Sequence, residues 1–361
     1  MHRLRLSTWE RRVIPLKDWQ VSYEHVPPSK LDPRMTHSAG AQAKSTLPSS
    51  PTTGSSPRVA ILLCTFNGKD FLKKQLESII AQTHKNWVIH VSDDGSNDST
   101  TSILNSYQNS LGQHRFKIYE GPKLGFAKNF LSLIKNDSIS GDYFAFSDQD
   151  DIWQSTKLER GISNLKTLDC SLPALYCSRV RLINADGKLV GMSPLRSKTP
   201  SFKNALVQSI AGGNTMLINP PARDLLALTP NDVSVAAHDW LTYLLVTASG
   251  GFVIYDKTPS LDYRQHENNL IGNKTSILGN LPRIKSMTTA RFSLWIDQNC
   301  DLLNKLDSQL TKDNYNTLKA YEKLRRSGLI TRIKLLYRIG LYRQDIFDNF
   351  LFILAVIFKK I

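Results

Sequence analysis

The chain has 361 residues, of which 41% are hydrophobic and 21% charged, an ordinary balance for one large α/β domain or two smaller ones. Its net charge of +15 predicts an anionic partner, such as a nucleic acid, a membrane surface or a phosphorylated substrate. The four cysteines form no CxxC pair, which disfavours a zinc site and indicates reduced thiols in a cytosolic protein; no apolar stretch predicts a secretory signal or a membrane span.

Residues 1–57 are predicted to form a disordered or weakly ordered basic tail. Residues 27–57 are rich in Ser, Thr, Pro and Gly, a composition that cannot bury enough apolar surface to order itself. A small helix near Trp9 and an overlong start to the gene are the alternatives.

Strand and helix patterns then alternate four times in about a hundred residues. This alternation predicts an α/β domain with a mostly parallel, helix-covered sheet. The predicted strands are Val59–Cys64, Trp87–Val91, Phe116–Tyr119 and Tyr143–Phe146.

The second half of the chain has a more mixed pattern. The turn signal Asn184–Gly187 predicts a hairpin, and the sequence beyond Leu281 is helical and basic. Between these segments we predict a glycine-led strand over Ala211–Ile218, helices from Pro221 and from His238, a last strand at Phe252–Tyr255 and a loop over Asp262–Asn269.

Three of the four predicted parallel strands end in polar, turn-prone residues: Thr65–Gly68, Asp93–Gly95 and Asp148–Asp151. These ends lie along one edge of such a sheet, where α/β proteins bind ligands. The carboxylates of Asp148, Asp150 and Asp151 lie within four residues and repel one another, and a bound Mg²⁺ or Mn²⁺ would compensate their charge. A solvated acidic turn is the alternative. The absence of GxGxxG and GxxxxGK[ST] disfavours a dinucleotide-binding domain and a P-loop.

Four motifs resemble the family 2 glycosyltransferases in order and spacing: Thr65–Gly68, Ser92–Thr100, Gly125–Asn129 and Asp148–Asp151. The resemblance covers roughly residues 58–272. Downstream, His238–Trp240 and Tyr263–His266 resemble the branch that contains bacterial rhamnosyltransferases. The resemblance implies a GT-A fold over residues 58–280, with a nucleotide-sugar-binding half (58–151) and an acceptor half (152–280), followed by a basic helical C-terminal region (281–361).

The resemblance also implies roles for single residues. The donor site would contain Thr65, Phe66, Asn67, Asp93, Asp94, Lys128, Asn129 and Asp148. The divalent cation would be held by Asp148, Asp150 and His266, and the acceptor would contact Gly213, Asn214, His238 and Trp240.

Each of these roles has a structural alternative. Asp93 is also expected in an ordinary turn, Lys128 and Asn129 in a surface pair, and His266 in a structural position. Asp239 is the expected catalytic base, because an inverting transferase needs one carboxylate to deprotonate the acceptor hydroxyl; its alternative is a helix N-cap.

From Arg283 to its last residue the chain carries fifteen Lys or Arg against seven Asp or Glu, a net charge of +8. With the apolar run Phe350–Phe358, it predicts helices lying on an anionic membrane surface, or alternatively packing onto the catalytic domain. We therefore expect a peripheral enzyme on the cytoplasmic face of a bacterial plasma membrane that extends a lipid-linked saccharide, with rhamnose as the first sugar to test. An inactive membrane scaffold is the alternative, and nucleic-acid binding is disfavoured because the basic residues collect in the tail.

Overall fold

The computed structural model describes residues 56–266 and 290–360. The predicted tail lies outside the described residues apart from its last two positions. The end of the predicted loop over Asp262–Asn269 and the predicted boundary near residue 280 also lie outside them.

Four parallel strands form one half of a seven-stranded sheet, in the spatial order β4-β1-β2-β3, which confirms the predicted alternation. Strand β1 is buried along its whole length, as expected for a central strand covered by helices on both faces. The elements are β1 (Val59–Thr65), α1 (Leu72–Ile80), β2 (Trp87–Asp93), α2 (Thr100–Leu111), β3 (Phe116–Glu120), α3 (Phe126–Ile134) and β4 (Tyr143–Ser147).

Three further strands complete this sheet in the order β10-β6-β9-β4, with β9 antiparallel to both of its neighbours. The predicted strand over Ala211–Ile218 is wrong in its first half. Backbone N–H groups of Thr215 and Met216 bond to the carbonyls of Gly212 and Gly213, which makes residues Gly213–Thr215 a 3-10 helix. The elements are α4 (Lys157–Leu165), β6 (Ala174–Ser178), α5 (Phe202–Ala205), β9 (Leu217–Ile218), α6 (Pro220–Ala227), α7 (His238–Ala248) and β10 (Phe252–Asp256).

A second sheet of four short strands lies beside the carboxyl end of β4. Its order is β5 (Ile152–Trp153), β11 (Leu261–Arg264), β7 (Arg181–Ile183) and β8 (Leu189–Met192). The predicted hairpin is confirmed as the antiparallel pair β7–β8. The predicted loop from Asp262 is corrected in its first part, because β11 pairs with both β5 and β7.

Four helices follow: α8 (Ala290–Lys305), α9 (Lys312–Arg326), α10 (Leu329–Ile339) and α11 (Ile346–Ile357), with a 3-10 turn at Asp307–Gln309. Their buried side chains belong to the same hydrophobic cluster as strands β1, β4 and β6. The apolar run Phe350–Phe358 packs onto the domain in part, since Phe352 and Val356 are buried while Phe350 and Phe358 are exposed. Within the described part of the chain, no helix has the length and apolarity needed to cross a bilayer.

Candidate active site

The candidate site is built around the turn that follows β4, residues Asp148–Asp151, which we call the acidic turn. Burial, together with the nearby charges of Asp150 and Asp239, raises the pKa of Asp148 to about 8, although Lys157 opposes the shift. Carboxylates from the turn and from α7 therefore share one electrostatic environment. An opposite charge supplied by a ligand would relieve their repulsion.

Asp151 anchors this turn from the inside. It is completely buried, its Oδ2 accepts from Asn214 Nδ2 at 2.5 Å, and its Oδ1 accepts from the backbone N–H of Arg264 at 3.2 Å. Burial and the charges of Asp150 and Asp148 raise its pKa well above the usual range. Asn214, predicted to contact the acceptor, is thus engaged in holding Asp151.

Asp150 and His266 are brought together by the second sheet. His266 Nε2 lies 2.8 Å from Asp150 Oδ2, and its ring lies 4.9 Å from the ring of Phe71. Arg264 Nε donates to the backbone carbonyl of Asp150 at 3.0 Å, which fixes the turn against β11.

These donors suit a divalent cation in part. Within residues 56–266 and 290–360, no three His, Cys, Asp or Glu side chains enclose a metal ion by themselves, so Asp148 does not complete a protein cage with Asp150 and His266. Mg²⁺ and similar ions commonly take one or two carboxylates and complete their shell with water and substrate phosphates. A partial, acidic donor set of this kind fits that mode of binding.

Asp239 lies in the first turn of α7, whose N-cap is Ala237, so the predicted alternative of a helix N-cap is wrong. Its side chain is only 8% exposed, and Oδ1 accepts from the backbone N–H of Trp240 at 2.6 Å. Burial raises the pKa of Asp239 to about 6, although hydrogen bonds from the N–H groups of Trp240 and Gly213 lower it. A carboxylate with this pKa is ionised near neutral pH and still basic enough to accept a proton.

Two residues predicted to contact the acceptor lie in the hydrophobic core instead. Trp240 is 1% exposed and donates its indole N–H to the carbonyl of Ala205. The ring of His238 is buried and stacks on Phe130 with centroids 3.9 Å apart, and burial lowers its pKa to about 3. Neither side chain presents a polar group to a sugar.

Gly213 is buried against the same histidine. A Cβ at this position would lie 2.1 Å from His238 Nε2, so only glycine fits between the histidine and the backbone. The backbone N–H that Gly213 donates to Asp239 makes it part of the support of that carboxylate.

The backbone of the loop after β1 is fixed by a side chain of the acidic turn. Gln149 pairs with the backbone of Phe66, accepting from its N–H and donating to its carbonyl, both at 2.9 Å. The Phe66 ring is 52% exposed. Asn67 follows with a left-handed φ of 49°, and its Oδ1 accepts from the N–H of Asn97 at 2.9 Å. An exposed aromatic face on a fixed backbone is suited to stacking on a planar ring.

Asp93 has the turn role that was its structural alternative. Its carboxylate accepts from Thr65 Oγ1 at 2.7 Å and from the backbone N–H and hydroxyl of Ser96 at 2.8 and 2.7 Å. Asp94 accepts from the backbone N–H groups of Lys123 and Gly125 at 2.6 and 2.9 Å. Both aspartates therefore shape the loops at the sheet edge, in addition to any contact with a ligand.

The structure does not place Lys128 and Asn129 in the candidate site. Lys128 Nζ donates to the carbonyls of Asn231 and Val233 at 2.8 and 2.7 Å, in the segment before α7. Asn129 is buried and donates to the carbonyl of Ser92 at 3.0 Å. Both residues fasten α3 to its neighbours, and neither side chain offers its nitrogen to a phosphate.

Three residues that the sequence did not single out also lie at the site: Gln149, Lys157 and Arg264. Arg264 is completely buried and donates Nη1 to the carbonyls of Asn184 and Ala185 at 3.2 and 2.8 Å. Gln149 and Arg264 occur inside motifs that the sequence did indicate, so their position was the available signal. Lys157 lies outside those motifs.

Comparison with known proteins identifies the domain that carries this turn. Residues 60–210 match the model of the family described as Glycosyl transferase family 2. The chain therefore carries a family 2 glycosyltransferase domain over these residues. The predicted GT-A fold and glycosyltransferase activity are thereby confirmed. Asp239 and His266 lie beyond the matched residues.

Two bacterial relatives align with this chain over most of their own length. The chain is 29% identical over 229 residues to "dTDP-rhamnosyl transferase RfbG" of Shigella flexneri, covering 62% of this chain and 78% of that protein. It is 24% identical over 222 residues to "Putative teichuronic acid biosynthesis glycosyltransferase TuaG" of Bacillus subtilis, covering 60% and 83%. Among solved structures, S. aureus TarS 1–349 in complex with UDP-GlcNAc aligns with 15% identity and a TM-score of 0.45, over 79% of this chain and 93% of that one.

Proposed function

We propose that this family 2 glycosyltransferase inverts the anomeric centre as it moves a sugar from a nucleotide-diphospho-sugar to a saccharide acceptor in bacterial surface polysaccharide synthesis. Rhamnose is the first candidate sugar, because the relative from Shigella flexneri is described as a dTDP-rhamnosyl transferase. The observation that carries the proposal is the buried carboxylate of Asp239, with a pKa near 6, beside the acidic turn of a family 2 domain.

The donor would bind along the edge formed by the ends of β1, β2 and β4. Phe66 offers an exposed ring to the base, on a backbone that Gln149 fixes. Asp150 and His266, with Asp148 beside them, would hold a divalent cation, Mg²⁺ or Mn²⁺. Such a cation, when bound, neutralises the charge of the leaving nucleoside diphosphate.

Asp239 would accept the proton of the attacking hydroxyl. Its N–H donors, from Trp240 and from Gly213, keep the carboxylate in place while its burial keeps it basic. An inverting transferase needs this one base on the face opposite the leaving group, and no second carboxylate at the spacing of a glycosidase.

A transfer assay tests this proposal. Purified protein is incubated with Mn²⁺ or Mg²⁺, saccharide acceptors and single donors, beginning with dTDP-rhamnose and including UDP- and GDP-sugars. We expect one donor to yield a product whose new linkage has the inverted anomeric configuration by NMR. A retained configuration, or no transfer from any donor, contradicts the proposal; transfer from another donor overturns only the choice of rhamnose.

We also propose that the acceptor is lipid-linked and that helices α10 and α11 dock on the anionic cytoplasmic face of the bacterial membrane. The two helices form a hairpin in which Arg332 Nη1 donates to the carbonyls of Val356 and Ile357 at 3.0 and 2.9 Å. Eight large apolar side chains on the hairpin are exposed to solvent: Leu329, Ile330, Ile333, Tyr337, Ile346, Phe347, Phe350 and Phe358.

The charge of this hairpin supports a lipid partner over a neutral one. Between Ser327 and Lys360 the chain has six Lys or Arg and two Asp, and one of the two, Asp348, is buried beside Arg343. A basic charge near an anionic bilayer contributes about 1 kcal/mol, so several charges must act together with the apolar groups. The exposed apolar residues would enter the interface while Lys334 and Arg338 contact lipid phosphates.

Flotation with vesicles tests this docking surface in the full chain. Replacing Ile330 and Tyr337 together by Ser should weaken binding to phosphatidylglycerol-containing vesicles. The control Leu228→Ser, at a leucine after α6 that is 50% exposed, should leave it unchanged. Unchanged binding of the double variant would contradict the docking surface, as would a wild-type protein that ignores anionic vesicles.

A further inference from the structure

Strand β8 carries a group of exposed apolar side chains at the edge of the second sheet. Leu189, Val190 and Met192 are 61%, 53% and 46% exposed, and only Gly191 interrupts them along the strand. An exposed apolar residue on its own is ordinary, whereas neighbouring ones that form a patch mark a site of interaction. We call these three residues the β8 patch.

The free edge of β8 is poorly suited to pairing with a further strand. In its ladder with β7, Leu182 lies opposite Gly191 and Ile183 lies opposite Leu189, so Val190 has no partner and forms a bulge. A bulge bends the strand and interrupts the row of backbone groups that a new strand would need, and natural edge strands use bulges to prevent such pairing. A partner that contacts the side chains therefore fits this edge better than one that adds a strand.

The chain around the β8 patch is strongly basic. Residues 179–203 contain six Lys or Arg against one Asp, a net charge of +5. Arg181 is paired at 2.5 Å with Asp262, which lies outside this segment, so a charge of +4 is left over. Lys188 and Lys203 are exposed. Exposed apolar side chains flanked by basic charge suit an anionic lipid surface, which takes up the apolar groups and attracts the charges.

The chain beyond β8 connects the patch to the helical hairpin α10–α11. Lys198 is six positions after Met192, so their Cα atoms are at most about 21 Å apart. Lys198 Nζ donates to the carbonyl of Arg343 at 2.9 Å, and Gln344 Nε2 donates to the carbonyl of Lys198 at 3.1 Å. Ile346, at the start of α11, is 84% exposed. The β8 patch and this end of the hairpin are thus close enough together to contact one bilayer.

The turn between β7 and β8 is attached to the candidate site. Arg264 Nη1 donates to the carbonyls of Asn184 and Ala185 in that turn, and Arg264 Nε donates to the carbonyl of Asp150. One buried side chain therefore joins the β7–β8 pair to the acidic turn. A bilayer in contact with β8 would lie beside the site.

We propose that the β8 patch is a second membrane contact, which inserts into an anionic bilayer beside the candidate active site. The proposal rests on the function proposed above, in which the acceptor is lipid-linked. The hairpin α10–α11 anchors the protein, and the β8 patch orients it so that the site opens at the level of the lipid head groups. A saccharide attached to a lipid then reaches the site, whereas a free saccharide does not need this contact.

A fluorescent label on β8 tests this contact directly in the full chain. Cys170 is exposed and the other three cysteines are buried, so a Cys170→Ser background permits labelling at one position. Val190→Cys places nitrobenzoxadiazole on β8, and Leu228→Cys is the matched control, because the two native side chains are 53% and 50% exposed. With vesicles of phosphatidylcholine and phosphatidylglycerol, we expect the emission at position 190 to shift to the blue and to be quenched by spin-labelled lipid. The label at position 228 should show neither effect.

The double variant Leu189→Ser with Val190→Ser measures what the patch contributes. Both side chains are exposed, so the fold should be retained. Partition onto the same vesicles should fall about tenfold, and transfer to a lipid-linked acceptor should fall with it. Transfer to a free saccharide acceptor should stay as in wild type. The control Leu172→Ser with Leu228→Ser, at exposed leucines outside β8, should change none of these.

A label at position 190 that does not shift, while the full chain floats with the vesicles, overturns this inference and leaves the docking of hairpin α10–α11 intact. A full chain that does not float overturns both membrane contacts. Emission at position 190 that is already blue-shifted without vesicles shows that protein covers the patch, and a shift that grows with protein concentration identifies a second copy; either result contradicts a lipid contact. Absence of transfer to any acceptor overturns the proposed activity and is measured separately.

Discussion

Replacing Asp239 by Asn should have opposite effects on catalysis and on stability. Asn keeps the size of the side chain and an oxygen that can accept from the Trp240 N–H, but it cannot take a proton from a hydroxyl. General base catalysis typically contributes 10²- to 10⁴-fold, so kcat should fall by roughly 10²-fold or more. Donor affinity should change little, because Asp239 would contact the acceptor and not the nucleotide.

The stability effect follows from the pKa of Asp239. Burial raises it from an ordinary 3.8 to about 6. The native state therefore binds more protons than the unfolded state between about pH 4 and pH 6, and stability falls as pH rises through that window. The ionised carboxylate costs about 3 kcal/mol above pH 6, at about 1.36 kcal/mol for each pH unit. Asp239→Asn should recover part of this free energy at pH 7 and none at pH 3.

Urea denaturation at pH 7 and pH 3 measures the stability effect, and release of nucleoside diphosphate in the presence of acceptor measures the rate. In wild type, kcat/KM should rise with pH through about 6, and the residual activity of the variant should lack this limb. Asp345→Asn is a matched control, because Asp345 is the N-cap of α11, far along the chain from the site, and Asn caps equally well. A variant that is less stable at pH 7 with nearly normal kcat would refute the assignment of Asp239 as base.

Two further predictions concern the edge of the sheet. Gln149→Leu removes both contacts with the Phe66 backbone. It should weaken nucleotide binding by up to about thirtyfold, as measured by calorimetry, because each of the two hydrogen bonds contributes about 1 kcal/mol. An unchanged Kd would show that the loop needs no such support. Lys128→Met should destabilise the protein by about 1–3 kcal/mol without changing donor affinity, because the Lys128 ammonium donates to two backbone carbonyls that lie outside the site. A marked loss of donor affinity in this variant would show that Lys128 contacts the donor phosphates.

The sequence predicted the parallel half of the fold well, because its strands are continuous apolar runs that end in turn residues. Strand β1 is an example, with all seven residues buried. The sequence was less informative about β11 and the 3-10 helix at Gly213–Thr215. Strand β11 depends on pairing with β5, and the segment of the 3-10 helix is held by the hydrogen bond from Asn214 to Asp151. Both contacts join residues distant in the chain, so local sequence patterns do not predict them.

The candidate site shows the same division. The acidic turn was evident from three aspartates in four residues, and the structure places His266 beside Asp150. Lys128 and Trp240 were assigned by motif, yet long-range packing determines which way each side chain points. A motif identifies the loop that carries a residue, and only the tertiary structure shows whether its side chain faces the cleft or the core.

We propose that a divalent cation at the turn after β4 holds the nucleoside diphosphate. The most direct measurement is calorimetric titration of dTDP, and of the other nucleoside diphosphates of the donor panel, into wild type and Asp150→Asn, each with Mn²⁺ and with chelator. Wild type should bind one nucleotide in the presence of Mn²⁺ and lose that binding in chelator. Asp150→Asn should remain folded and bind weakly in both conditions. Wild-type binding that is indifferent to chelator, or an Asp150→Asn variant that binds as wild type does, would contradict the account.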